Sequence, residues 1–135
     1  MSLAFSKDQA DSRKDWLKDY NPDNVHDSCE KISHKTFVDR ELIHFSNDDC
    51  LRSIPHIIDG LKPSQRKVLF ACFKKGCLSR RQEVRVAQLA AYTSEHAMYH
   101  HGEASLQGTI TGMTQDFTCS NDINLLYPQG QICSR

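Results

Sequence analysis

Apolar side chains recur along much of the chain at spacings of three and four residues, between short polar stretches. The clearest case is residues 103–117, where the apolar positions are Leu106, Ile110, Met113 and Phe117. Intervals of four, three and four put these side chains on one face of an amphipathic helix. Small residues, among them Ser105 and Thr109, lie on another side of it and would let a large partner approach closely.

Similar periodicity predicts further helices at 12–20, 36–45, 63–75 and 84–97. In the second, Phe37, Leu42 and Phe45 form the apolar stripe, and the polar residues 46–49 are expected to end it. In the third, Pro63 opens the helix, Gly76 closes it, and the expected buried face is Val68, Leu69, Cys72 and Phe73.

A different pattern follows the last helix. Residues 123–127 are apolar and strand-like, and Pro128-Gln129-Gly130 predicts a turn into a return strand. Helix, turn, helix and hairpin is the order of a winged helix, in which the second helix of a helix-turn-helix meets DNA. The sequence therefore predicts a mainly α (α+β) fold with a small β-hairpin wing. We expect residues 1–34 to form an N-terminal helix and connecting loop, and residues 35–135 a winged-helix domain.

Composition narrows the classes of function. The 17 basic and 17 acidic residues balance, so a nucleic-acid surface would have to come from local clustering of charge. No apolar run approaches the roughly 18 residues of a membrane helix, and no membrane association is predicted. The six cysteines lack the paired spacing of a zinc site, so we expect reduced thiols and no metal site.

Cations and imidazoles gather where two of the predicted helices begin. Residues 59–67 read DGLKPSQRK, and residues 99–103 read YHHGE. Backbone N–H groups at a helix N-terminus favour an anion, which makes phosphate the natural ligand. Taken alone, basic residues at such a position are usually just solvated, and paired histidines are more often capping or buried groups.

Five stretches in the same order resemble the DNA-cleavage core of eukaryotic type IIA DNA topoisomerases, the topoisomerase II family. They begin at residues 52, 59, 84, 99 and 124 and read RSIP, DGLKPSQRKVL, VRVAQLA, YHHGEASL and NLLYPQGQ. The resemblance implies a nuclear, homodimeric enzyme that uses ATP and Mg²⁺. Such an enzyme cleaves one DNA duplex, passes a second through the break and religates the first.

The resemblance also implies a role for each matched residue. Arg52, Lys62 and His101 would be catalytic, surrounding the scissile phosphate and stabilising the transition state. The DNA-binding residues would be Arg66, Lys67, His100, Ser105 and Thr109. The family's nucleophile is a tyrosine that becomes joined to a 5′-phosphate, and its position would follow Arg135. None of the four tyrosines matches it, so we expect the chain to stop before the catalytic tyrosine and to be inactive alone.

Four positions near the predicted wing depart from the family pattern. Cys119 and Cys133 replace glycines, Asp122 replaces an asparagine and Ile132 replaces a phenylalanine. A Cβ in place of glycine resists tight turns, and an added carboxylate would repel phosphate. Two alternative functions stay open at this level: a winged-helix DNA-binding module without catalysis, and an interaction scaffold with no nucleic-acid role.

Overall fold

The structure, a computed structural model, describes residues 2–25, 31–77, 82–117 and 122–132. The chain divides into two compact units, Met1–Pro55 and His56–Arg135. The predicted domain boundary after residue 34 stays a prediction. In the parts of the chain described, no helix is both long and apolar enough to cross a membrane.

The first unit is a succession of helices. In chain order they are α1 (Ser2–Phe5), a 3₁₀ turn (Lys7–Gln9), α2 (Ala10–Lys18), α3 (His34–Phe37), a π-helical segment (Val38–Leu42) and α4 (Ile43–Ser53). Helix α2 contacts α4, and the Tyr20 ring meets the His44 ring edge-on at 5.3 Å. The predicted end of the helix at residues 46–49 is wrong. The Asp49 carboxylate accepts hydrogen bonds from Arg52 and Ser53, so it does not compete for the helix backbone.

The π-helical segment changes which face of this helix is buried. Val38 and Ile43, five residues apart, are buried, whereas Phe37 is 46% and Phe45 64% exposed. A π turn adds one residue to the ordinary helical repeat and so rotates everything that follows it. The predicted stripe of Phe37, Leu42 and Phe45 is therefore wrong because it assumed an uninterrupted period of 3.6 residues.

Three helices pack against one another in the described part of the second unit: α5 (Pro63–Lys75), α6 (Val86–His96) and α7 (Glu103–Thr114). Its core contains Val68, Cys72, Leu89, Ala90, Tyr99, Leu106, Ile110 and Met113. The predicted stripe of α7 is confirmed for its three buried members, while Phe117 lies beyond the end of the helix. Phe73 was predicted to be buried but is 66% exposed, because the buried face of α5 runs through Val68, Ala71 and Cys72.

The predicted termini of α5 are confirmed. Pro63 lies at its start, and Gly76 ends it with a left-handed φ of 72°. The N–H of Gly76 donates to Phe73 O and that of Cys77 to Cys72 O, both at 3.2 Å. This pair of bonds is a Schellman motif, which satisfies carbonyls that the helix itself leaves unpaired.

The predicted β-hairpin wing is wrong. Residues 122–132 contain no strand, and nor does any other described part of the chain. A hairpin needs N–H and C=O groups paired between two strands. Here the N–H of Leu126 instead donates to Met113 O at the end of α7 (3.0 Å), and that of Ile132 donates locally to Gly130 O. The fold is mainly α; Cys119 and Cys133 lie outside the described residues, and Asp122 and Ile132 lie in this irregular segment.

Candidate functional site

The loop that leads into α5 is closed by its own hydrogen bonds. The N–H of His56 donates to Leu61 O at 3.1 Å, and the N–H of Gly60 donates to His56 O at 2.8 Å. Asp59 Oδ1 accepts from the N–H of Leu61 at 3.0 Å. Gly60 has φ +67°, a conformation that side chains with a Cβ rarely adopt. These hydrogen bonds therefore fix the loop conformation that places Lys62 at the start of the helix.

Lys62 is the N-cap residue of α5. Its backbone N–H donates to Gln65 Oε1 at 2.9 Å, which is half of a capping box. The side chain is exposed, and its ammonium group has no hydrogen-bond or ion-pair partner within the described residues. An unpaired cation beside a helix N-terminus attracts an anion through its charge and through the neighbouring N–H groups.

Arg66 carries an acidic partner that the sequence pattern did not indicate. Its guanidinium grips Asp59 with two hydrogen bonds, Nε to Oδ2 at 2.6 Å and Nη2 to Oδ1 at 2.9 Å. The hydrogen bonds from Arg66, then the one from Leu61, hold the pKa of Asp59 below its ordinary value, and the pKa of Arg66 is raised. Three of the five guanidinium donors remain, so a phosphate at Arg66 would share it with Asp59. No sequence rule pairs residues seven apart at a helix start.

Lys67 points to a backbone carbonyl in a distant part of the same unit. Its Nζ donates to Met98 O at 2.8 Å, across 31 residues of sequence. The same Nζ lies 6.0 Å from the centre of the Tyr99 ring. Neither contact was predicted from the sequence, because Lys67 was interpreted only as a ligand of phosphate.

The two histidines before α7 are both exposed. His101 lies edge-on to the ring of Tyr99, with centroids 5.3 Å apart and planes at 75°. Tyr99 itself is only 8% exposed, and its Oη donates to Ser105 Oγ at 3.4 Å. His100 has no side-chain partner among the residues that the structure describes.

Helix α7 presents small side chains with space beside them. Thr109 Oγ1 donates to Ser105 O at 3.1 Å, so the hydroxyl is already used within the helix. Apart from the backbone of α7 itself, a Cβ added at Gly108 or Gly112 would meet no atom of the described residues within 4 Å. This side of α7 can be approached closely, as its composition predicts, and the DNA contacts of Ser105 and Thr109 stay a prediction.

Arg52 belongs to the first unit, in the last turn of α4. Its Nη2 donates to Asp49 Oδ1 at 3.0 Å, and this bond is the main reason that the pKa of Asp49 is lowered. The side chain is 56% exposed. The grouping of Arg52 with Lys62 and His101 around one phosphate stays a prediction.

A divalent metal does not fit the described part of the chain. Those residues contain no group of three or more His, Cys, Asp or Glu side chains that could hold a metal ion. Asp49 and Asp59 are each committed to an arginine. The Mg²⁺ that the resemblance implies therefore has no such set of ligands within the described residues.

Comparison with known proteins places the chain in a family. The sequence profile for the A-type subunit of DNA gyrase/topoisomerase IV matches residues 52–135. The chain belongs to this family. Residues 1–50 match the profile of the C-terminal associated domain of TOPRIM.

Relatives of known name agree with that assignment. DNA topoisomerase 2 of Saccharomyces cerevisiae is 52% identical over 136 residues, and that of Arabidopsis thaliana 51% identical over 136 residues. Each match covers 100% of this chain but 9% of the relative. The resemblance to eukaryotic topoisomerase II is thereby confirmed. The chain spans about a tenth of the length of the curated relatives that it matches.

A solved structure carries the same resemblance into three dimensions. It is the DNA-binding, cleavage and re-ligation domain of Plasmodium falciparum topoisomerase II, and the two superpose with a TM-score of 0.71 at 50% identity. The match covers 96% of this chain and 18% of that one.

Proposed function

We propose that the chain is part of a type II DNA topoisomerase and supplies DNA-binding and phosphate-stabilising side chains to its cleavage region. In this proposal the parent enzyme is a nuclear homodimer that uses ATP and Mg²⁺, cleaves one duplex, passes another and reseals the first. The family assignment and the match to a cleavage domain support it. The observation that carries it is the ammonium of Lys62, which has no partner among the described residues and which a closed loop holds at the N-terminus of α5.

The chemistry asks for cations at the reacting phosphate. When a tyrosine attacks a phosphodiester, negative charge grows on the phosphate oxygens and on the leaving 3′ oxygen. Preplaced donors lower that barrier because they need no reorganisation at the moment of reaction. In the proposed site Lys62 supplies a point charge, Arg52 a planar fork and His101 a ring N–H directed at a phosphate oxygen.

The DNA-binding residues would hold the duplex around that phosphate. Arg66 retains donors beyond those that it gives to Asp59, and His100 is exposed beside His101. Ser105 and Thr109 would lie along the duplex on the open side of α7. Contacts of this kind position the backbone and read no sequence.

Two measurements test the proposal. The chain should bind duplex DNA of unrelated sequences with similar affinity, and binding should weaken steeply as salt rises. In the parent enzyme, Lys62→Ala should slow DNA cleavage while leaving its unfolding temperature almost unchanged. Normal cleavage by that variant would instead indicate a DNA-binding module without a catalytic role. Absence of duplex binding at low salt would favour an interaction scaffold.

A further inference from the structure

The hydrogen bond from Lys67 ends on a strained residue. Met98 has φ 48°, and within the described residues it is the one non-glycine with positive φ. A left-handed conformation is unfavourable for a residue with a side chain and persists only where surrounding contacts hold it. Lys67 Nζ supplies such a contact, at 2.8 Å from Met98 O. This bond ties the first half of α5 to the turn that follows α6.

That turn directs the next residue inward. Tyr99 is 8% exposed and belongs to the core cluster with residues of α5, α6 and α7. A side chain packed in a core has one orientation, since the surrounding atoms leave no room for another. Tyr99 is thus a buried, fixed side chain immediately before two exposed histidines.

The His101 ring packs against the ring of Tyr99. The edge-to-face contact with Tyr99, at 5.3 Å and 75°, is the side-chain contact that His101 makes among the described residues. Aromatic pairs in this geometry attract each other beyond the effect of the area that they bury, because the positive edge of one ring faces the negative face of the other. For an exposed imidazole with this one ring contact, the attraction favours one ring orientation over the others.

We propose that Lys67 and Tyr99 are positioning residues for His101. Lys67 holds the Met98 carbonyl and thereby the left-handed turn, the turn places Tyr99 in the core, and the Tyr99 ring orients the imidazole. The functional consequence rests on the proposed phosphate role of His101, because an oriented donor loses less entropy when it meets the phosphate. Lys67 then acts mainly through the protein rather than as the DNA ligand that the resemblance implied.

The test is made on the chain without DNA, where a phosphate ligand has nothing to contact. The imidazole ¹H–¹³C signals of His101 are recorded for the wild type and for Lys67→Met, Lys67→Arg and Lys74→Met. We expect Lys67→Met to move the His101 signals to the shifts of an unrestrained imidazole. Lys67→Arg should restore them, because it keeps a donor for Met98 O. Lys74 is exposed in the last turn of α5, so Lys74→Met should leave them in place.

Tyrosine variants test the second link. Tyr99→Phe keeps the ring and should preserve the His101 shifts, whereas Tyr99→Leu should lose them. If Tyr99→Leu does not fold, the Lys67 series decides alone, since that side chain is only partly buried.

The outcomes separate this inference from the proposed function. Unchanged His101 signals in Lys67→Met, with weakened duplex binding, would overturn the positioning role and leave Lys67 a phosphate ligand. Signals that respond as expected, in a chain that binds no duplex, would support the positioning role and overturn the DNA-binding proposal.

Discussion

The removal of the Lys62 charge should change the salt dependence of duplex binding by a calculable amount. Each phosphate neutralised by a protein cation contributes about −0.9 to the slope of log K against log salt. Because the Lys62 ammonium has no protein partner in the described chain, it can neutralise one phosphate fully. We therefore expect Lys62→Gln to make the slope shallower by about 0.9. When salt rises from about 50 to 200 mM, the wild type should therefore lose about 3.5-fold more affinity for the duplex than the variant loses.

The matched control is Lys74→Gln, which makes the same change in net charge on the same helix. Twelve residues at a rise of about 1.5 Å place Lys74 roughly 18 Å along α5 from Lys62. That separation exceeds the Debye length of about 10 Å at 0.1 M salt, so a charge there should affect the Lys62 site little. The assay is fluorescence anisotropy of a labelled duplex at four or more salt concentrations. Equal slope changes in the two variants would refute the reasoning, because they would show that only the total charge matters.

Three further predictions concern single groups. Burial, followed by the influence of Cys77, raises the pKa of Cys72 to about 12. Iodoacetamide should therefore label Cys77 first and reach Cys72 only when the protein unfolds. Peptide mass spectrometry measures the order of labelling, and labelling of Cys72 first would contradict this prediction. Gly76→Ala should lower the free energy of unfolding by about 1 kcal/mol, because Gly76 has a left-handed φ. Gly108→Ala should raise the free energy of unfolding by about 0.5–1 kcal/mol, because Gly108 lies within α7 and faces open space. Thermal unfolding measures both variants, and shifts of the same sign would contradict this prediction. The hydrogen bonds from Arg66 lower the pKa of Asp59. The stability that this carboxylate contributes is therefore complete above its ordinary pKa of 3.8, and it is lost as pH falls from there through the lowered pKa of the folded state. A carboxyl-carbon NMR titration with a midpoint at 3.8 or above would disprove the ion pair.

Sequence periodicity predicted the second unit better than the first. The bounds and the cap of α5 and the buried stripe of α7 follow from local signals, namely a proline, a glycine and apolar spacings of three and four. The π-helical segment at Val38–Leu42 breaks that arithmetic in the first unit, since one added residue rotates the helix and exposes Phe37 and Phe45. No pattern in these residues predicts a π turn.

The wrong prediction of a β-hairpin wing has a similar origin. An apolar run followed by Pro and Gly is compatible with a strand, but a strand exists only where a second one pairs with it. Leu126 gives its N–H to Met113 O, and Gln129 Nε2 donates to Glu83 Oε1 at 2.7 Å, so the segment is held by other parts of the unit. Such pairings depend on groups that are far away in the sequence.

By itself, the sequence determined the mainly helical class, the positions of α5 and α7, and the topoisomerase II family, because capping, spacing and ordered motifs are local properties of a chain. It also selected the exposed cations and imidazoles at the helix starts. Only the tertiary structure decided what each of them contacts: Lys62 is left unpaired among the described residues, Arg66 is held by Asp59, and Lys67 is bound to Met98. A long charged side chain can reach many partners, and the fold brings one of them within hydrogen-bonding distance.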